Sequence, residues 1–182
     1  EIGRRLYDRE RDGAGLARSA DRYALRAGVA LDLGEKLGGE IAAGWLTERP
    51  DDPRLSGVSG LSLAAVLRWS PVRGTVVALT AATAVEGSTT PGDSGSLLHS
   101  GTLAVERELR ANLTARAAAG LDWRDYSGGG HDVVMRGEAG LTWWMNRNAG
   151  ITARARHEVQ ESTLADRNWD ATSVWLGMTL RR

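Results

Sequence analysis

The sequence predicts an all-β fold, an antiparallel up-and-down transmembrane β-barrel with about ten strands in this chain. Three observations predict it. Apolar and polar residues alternate with a period of two along arms of about ten to fourteen residues. Tight turns alternate strictly with long polar loops, and the turns centre near 35, 72, 109 and 147, about 37 residues apart. Aromatic residues on the apolar face gather toward both ends of the arms.

Taken in order, residues 1–7 read as a truncated first strand and residues 8–20 as a polar, glycine-bearing loop. The hairpin from Asp21 to Thr47 is the clearest unit. Its first arm sets Tyr23, Leu25, Ala27, Val29, Leu31 and Leu33 against Arg22, Ala24, Arg26, Gly28, Ala30 and Asp32. Successive strand side chains point to opposite faces, so one face is wholly apolar. Gly34-Glu35-Lys36 turns the chain, and Leu37, Ile41, Ala43 and Trp45 then oppose Glu40, Ala42 and Gly44.

Glu48 to Gly57, with two prolines, reads as a loop. Leu61 to Trp69 and Val77 to Glu86 form a second hairpin around Pro71-Val72-Arg73-Gly74. Gly87 to His99 is rich in Ser, Thr and Gly and reads as another loop. Leu103 and Val105 lead to a turn at Arg107–Arg110, followed by an arm from Ala111 to Arg124. The alanines of that arm would suit a helix, but Arg116, Asp122 and Arg124 share a face only at period two. Tyr126 to Asp132 is a glycine-rich loop, and the arms Val133–Met145 and Ile151–Glu158 flank a turn at Asn146-Arg147-Asn148. Val159 to Trp169 reads as the last long loop, and residues 172–181 as the last arm.

The alternation fits either a soluble sandwich, with its apolar face buried, or a barrel, with that face in lipid. The arms are twice the length of typical soluble strands, which run about five or six residues, and match a tilted spanning strand. Charge is essentially absent from the apolar face between strand ends from Asp21 to Val159. Tyr23, Trp45 and Trp123 lie toward the long loops, whereas Trp69 and Trp143 lie beside tight turns. Amphipathic rings prefer both interfaces of a bilayer, so these five read as two girdles. Closure would pair every strand and leave no backbone group orphaned in hydrocarbon, and an even strand count suits it.

Composition narrows the function classes. Basic and acidic residues balance at 23 each, so no net field favours nucleic acid. Cysteine is absent, which removes disulfides, thiol catalysis and Cys-type metal sites. Residues 1–182 read as one barrel domain. Opening inside a strand pattern without Met or signal peptide, the chain reads as a processed product or the C-terminal part of a larger barrel.

The alternating hairpins, the Arg5-Leu6-Tyr7-Asp8-Arg9 entry, the Trp69-Ser70-Pro71 turn, the Asp125-Tyr126 strand end and the Asn146-Arg147 turn together resemble bacterial outer-membrane proteins of the putative beta-barrel porin type 2 family. The resemblance covers essentially the whole chain. It implies a bacterial outer-membrane location, porin-like passage of small solutes, or a role accessory to exopolysaccharide export. The implied partners are outer-membrane lipid and lipopolysaccharide, the barrel-assembly machinery and exopolysaccharide export components.

On the barrel reading the polar face lines the lumen. It carries Arg22, Arg26, Asp32, Glu40, Arg68, Glu86, Arg116, Asp122, Arg124, Arg136, Glu138, Arg154, Arg156 and Glu158, which neighbouring strands would pair into a salt-bridge lattice. Trp144 and Trp175 point the same way and fill the lumen. A structural or surface-binding barrel without conduction is the alternative. His99, His131 and His157 fall at the long-loop end near Asp125, Asp132 and Glu158, the arrangement a rim hydrolase would use, but no motif fixes their geometry. The sequence therefore predicts no catalytic residue, no cofactor and no metal. His157-Glu158 lacks the second His of a zinc helix, and the Asp-containing loops lack Ca²⁺-loop spacing.

Overall fold

The computed structural model describes residues 1–6, 16–17, 19–87 and 95–180. Tyr7, most of the loop expected over residues 8–20, the centre of the loop expected over residues 87–99, Arg181 and Arg182 lie outside these. Ten strands form one sheet: β1 (Ile2–Arg5), β2 (Ala20–Asp32), β3 (Leu37–Pro50), β4 (Val58–Trp69), β5 (Thr75–Glu86), β6 (Ser96–Arg110), β7 (Leu113–Tyr126), β8 (His131–Trp144), β9 (Ala149–Ser162) and β10 (Trp169–Leu180). Each pairs antiparallel with its neighbours in sequence, in the order β1 to β10. The fold is all-β and up-and-down, as the alternation predicts.

The strands reach further than the polarity pattern predicts. Glu48 belongs to β3, where it pairs with Val58. Ser96–His99 lie in β6, paired on both sides with β5 and β7. His131 and Asp132 open β8, and Val159–Ser162 continue β9. The loops on that side are correspondingly shorter, down to residues 127–130. The turn expected at Arg107–Arg110 lies instead at Ala111-Asn112. The shift has a local cause: a bulge between Glu108 and Arg110 adds one residue to β6, and the chain stays in the ladder past it.

The sheet is open. Among the described residues β1 and β10 each pair with a single neighbour, so the ten strands make a partial barrel rather than the closed one that the even count suggests. β1 is four residues long against twelve in β10, too short to cover that edge.

Register fixes which residues share a face, because directly opposed residues point the same way. The outward face is the apolar one, and it is also the exposed one: Leu25 is 80% exposed, Val29 63% and Trp45 57%. Over residues 117–126 of β7 and 135–144 of β8 exposure alternates residue by residue, with the outward positions open and the inward ones half-buried. A water-soluble sheet does the reverse.

One region departs from this plan. The β4–β5 ladder stops at Ala64 opposite Ala82, although both strands continue beyond it. Above that rung the Leu63 N–H donates to the Thr83 hydroxyl at 2.9 Å instead of to a backbone carbonyl. Val85 and Leu97, which register places on the outward face, are buried in a cluster with Ala24, Leu46 and Val58, which register places on the inward face. The upper ends of β5 and β6 therefore sit in front of the inner face of β2–β4. Val85 and Thr83, expected on the lipid side, are among the buried residues.

Candidate functional site

The inward face carries the polar chemistry. Following the ladders across the sheet, Trp175 stands opposite Arg154, Arg154 opposite Gly140, Gly140 opposite Arg116, and Arg116 opposite Glu106. In the next rows Arg156 opposes Glu138, and Glu158 opposes Arg136. Continuing through β6 to β2 places Glu86, Arg68, Glu40, Arg26, Arg22 and Asp32 on the same face, along with Asp122 and Arg124. All fourteen charged residues singled out in the sequence share it.

The side chains are paired only in part. Arg136 makes a bidentate contact with Asp122 at 2.7 and 2.8 Å. Gly120 makes room for it, since a Cβ there would lie 3.1 Å from Arg136 Nε. Arg124 meets Glu86 at 2.9 Å, and Arg156 meets Glu158, two residues along the same strand, at 2.6 Å. Arg26 donates to the Ser62 hydroxyl at 2.6 Å, and Asp32 accepts the Gly34 N–H of the first turn. The Arg154 guanidinium stacks over Trp175, 5.4 Å from the ring centroid. Glu40, Arg68, Arg116 and Glu138 have no ion-pair partner among the described residues. The expected lattice is thus three ion pairs with free charges of both signs between them. Two adjoining hollows of about 250 and 260 Å³ lie along β6–β9 and share Arg116 and Glu138.

A sequence model of the family Putative beta-barrel porin 2 matches residues 1–182. The chain belongs to this family. No curated protein and no solved structure matches it. The porin-family match and the all-strand fold agree on a β-barrel wall, one face apolar and the other charged.

On the outward face of this porin-family chain, Tyr23, Trp45, Trp69, Trp123 and Trp143 are all between 39% and 57% exposed. Trp69 and Trp143 stand near the tight-turn ends of β4 and β8, while Tyr23, Trp45 and Trp123 stand toward the other end of β2, β3 and β7. Trp144 and Trp175 are on the inward face, where each ring packs into space left by a glycine, Gly150 and Gly177 respectively.

The three histidines do not assemble a rim site. His99 Nδ1 lies 2.9 Å from the Thr83 hydroxyl, and His131 stacks on Trp123 with centroids 4.6 Å apart. His157 is not at the long-loop end. It stands within β9 on the outward face, 2.8 Å from the Thr172 hydroxyl and opposite Gly137. Among the described residues, no three His, Asp or Glu side chains converge as metal ligands.

Two polar groupings escape the sequence reading. Asp132, 2% exposed, accepts the Tyr126 hydroxyl at 2.6 Å and the Ser162 hydroxyl, and Arg167 reaches it at 3.6 Å. Arg167 also stacks over the Tyr126 ring and donates to its hydroxyl. Glu48, 4% exposed, pairs with Arg5 at 2.9 Å, and Arg5 also donates to the Val85 carbonyl. Parity carried the signal: Glu48 continues Glu40 at even spacing, and Asp132 continues Arg136. Both residues lie where turn composition argues for a loop.

Proposed function

We propose that the chain forms part of the wall of a bacterial outer-membrane barrel, with the charged face lining a watery interior that passes small polar solutes. The observation that carries the reading is the exposed apolar face: large apolar residues such as Leu25, Val29, Trp45 and Leu121 stand open on the side opposite the charged one. Such a face needs an apolar cover, which the hydrocarbon of a bilayer supplies, and the charged face opposite it needs water or ion pairing. The outward aromatics at both strand ends support placement in a bilayer, with lipid and lipopolysaccharide around them. Assembly there would pass through the barrel-assembly machinery. Membership of a porin family accords with a barrel that performs no chemistry of its own. An accessory role in exopolysaccharide export is the narrower form of the same reading. Its support is the placement of Trp144 and Trp175 among the charged residues of the inward face, aromatic rings of the kind that stack on sugars.

Single-channel recording on refolded protein in planar bilayers tests the proposal. Discrete conductance steps are expected, and membranes that stay sealed at all voltages would sink it. A structural barrel without conduction is the second reading, and one observation favours it. Leu46 and Ser62, both inward-facing, are 0% exposed, so part of the interior is already filled.

A further inference from the structure

The open upper end of the β4–β5 ladder sits beside a sequence that could close it. Extending the observed register beyond Ala64 and Ala82 would oppose Leu63 to Thr83, Ser62 to Ala84, Leu61 to Val85 and Gly60 to Glu86. In that zipped arrangement Leu61 and Val85 would meet on the apolar outward face, and Ser62 and Glu86 would face inward. The alternation therefore continues, correctly phased, past the point where pairing ends.

The tucked arrangement actually present is also encoded. Leu46 and Val58 are apolar at inward positions, where polar or small residues are the rule, and together with Ala24 they form a patch. Val85 and Leu97 bury themselves against that patch. Gly60 leaves the space that Leu97 fills, because a Cβ at Gly60 would lie 2.5 Å from Leu97 Cδ2. Arg5 fastens the tucked side by donating to the Val85 carbonyl while paired with Glu48. The Thr83 hydroxyl takes up the Leu63 N–H that zipping would give to a backbone partner.

We infer that the β4–β5 seam is a two-state element. In the tucked state the upper β5–β6 edge overlaps the inner face of β2–β4 and narrows the barrel mouth. In the zipped state Val85 and Leu97 turn to lipid, the ladder gains its missing rungs and the wall widens. The tucked state buries Val85 and Leu97 against the inner patch, whereas the zipped state gives them lipid and adds backbone rungs, so each packing has a gain that the other lacks. The effect on solute passage rests on the porin reading above, whereas the seam itself does not.

The chain contains no cysteine, so paired replacements report without background. In protein refolded into phosphatidylethanolamine–phosphatidylglycerol vesicles, Gly60→Cys with Leu97→Cys reports the tucked state to a short thiol cross-linker. Ser62→Cys with Ala84→Cys reports the zipped state, because directly opposed Cβ atoms lie about 4.5–5.5 Å apart. Both pairs should cross-link, each in its own preparation. Locking the tucked pair should lower single-channel conductance several-fold relative to the reduced protein, and locking the zipped pair should raise it. If only one pair reacts while the other stays free through prolonged oxidation, the two-state seam is overturned. Cross-linking of both pairs in a barrel that never conducts would leave the seam standing and count against the porin reading alone. Heat-modifiable gel migration checks folding. Should either pair disturb it, Leu46→Cys with Leu97→Cys and Leu61→Cys with Val85→Cys report the same two states.

Discussion

Leu97 of β6 occupies the space into which any side chain on Gly60 of β4 would project. The contact joins the outward face of one strand to the inward face of another, so it exists only because the ladder between β4 and β5 is open above Ala64. Truncating Leu97 to Ala should cost about 2–5 kcal/mol, the usual range for a buried Leu that leaves a cavity, since the residue is 4% exposed. Gly60→Val should cost about 1–3 kcal/mol by overpacking the same site. Urea unfolding of the detergent-folded barrel measures both. Equal stability of Leu97→Ala and wild type would mean that the tucked packing is not the ground state.

The outward face gives a sharper contrast. Leu79 and Thr80 are adjacent in the middle of β5, one pointing outward and the other inward. An arginine at Leu79 should cost about 2–4 kcal/mol in a bilayer, the penalty for a cation near the midplane. An arginine at Thr80 meets the polar side and should cost little. Unfolding in lipid vesicles separates the two, and similar penalties at both positions would contradict a lipid-facing Leu79.

The same parity explains how much was legible beforehand. Face assignment needs only a period of two, and one residue of slip would have sent Arg116 and Arg154 into the apolar face. Local information is therefore enough to put the charged residues on one shared face. Strand ends were harder, because polar residues such as Ser96, Asp132 and Ser162 look like loop. Asp132 is held in the ladder by Tyr126 and Ser162, partners 6 and 30 residues away in sequence. The tucked seam was harder still. It depends on Leu97 meeting Gly60 and Leu46 across the sheet, and alternation within one arm carries no information about which layer lies in front of another.

Asp122 and Arg136 bear on selectivity if the inward face lines a pore. Asp122→Asn removes a carboxylate and frees a guanidinium that Gly120 leaves room to hold flat against the wall. Reversal potentials under a KCl gradient should shift toward anions. Arg136→Gln should shift them toward cations. The charge change is one in each case, so the two shifts should be similar in size and opposite in sign. Shifts of the same sign would place this pair away from the conducting path.

The Asp132 cluster should matter for stability rather than passage. Asp132 is 2% exposed, and replacing it with Ala leaves the Tyr126 and Ser162 hydroxyls without their acceptor. A loss of about 1–3 kcal/mol is expected, the usual penalty for stranding buried polar groups. Tyr126→Phe removes one donor and should cost closer to about 1 kcal/mol. Thermal or urea unfolding reads both, and a neutral Asp132→Ala would mean that water serves these groups equally well.

Acid should loosen the β3–β4 connection first, and Asp52 sets the threshold. One Asp52 oxygen accepts the Arg54 backbone N–H at 3.1 Å and Arg54 Nε at 2.9 Å, and the other accepts Arg54 Nη2 at 2.8 Å and the Ala17 N–H at 3.3 Å. The hydrogen-bonded Arg54 guanidinium holds the carboxyl well below the ordinary carboxylate range. A folded pKa below the unfolded one, near about 3.9, contributes stability that is fully present above the unfolded value. That stability is lost as pH falls toward and through the folded value. A spin label on Pro53→Cys, at the exposed tip of the connection, should therefore give one unchanged spectrum from neutral pH down to about 4 and sharpen only well below that, as the folded carboxyl itself takes up a proton. With Asp52→Asn added, the label should be mobile at every pH and show no transition. A transition that survived in the Asp52→Asn protein would assign the acid response to another group.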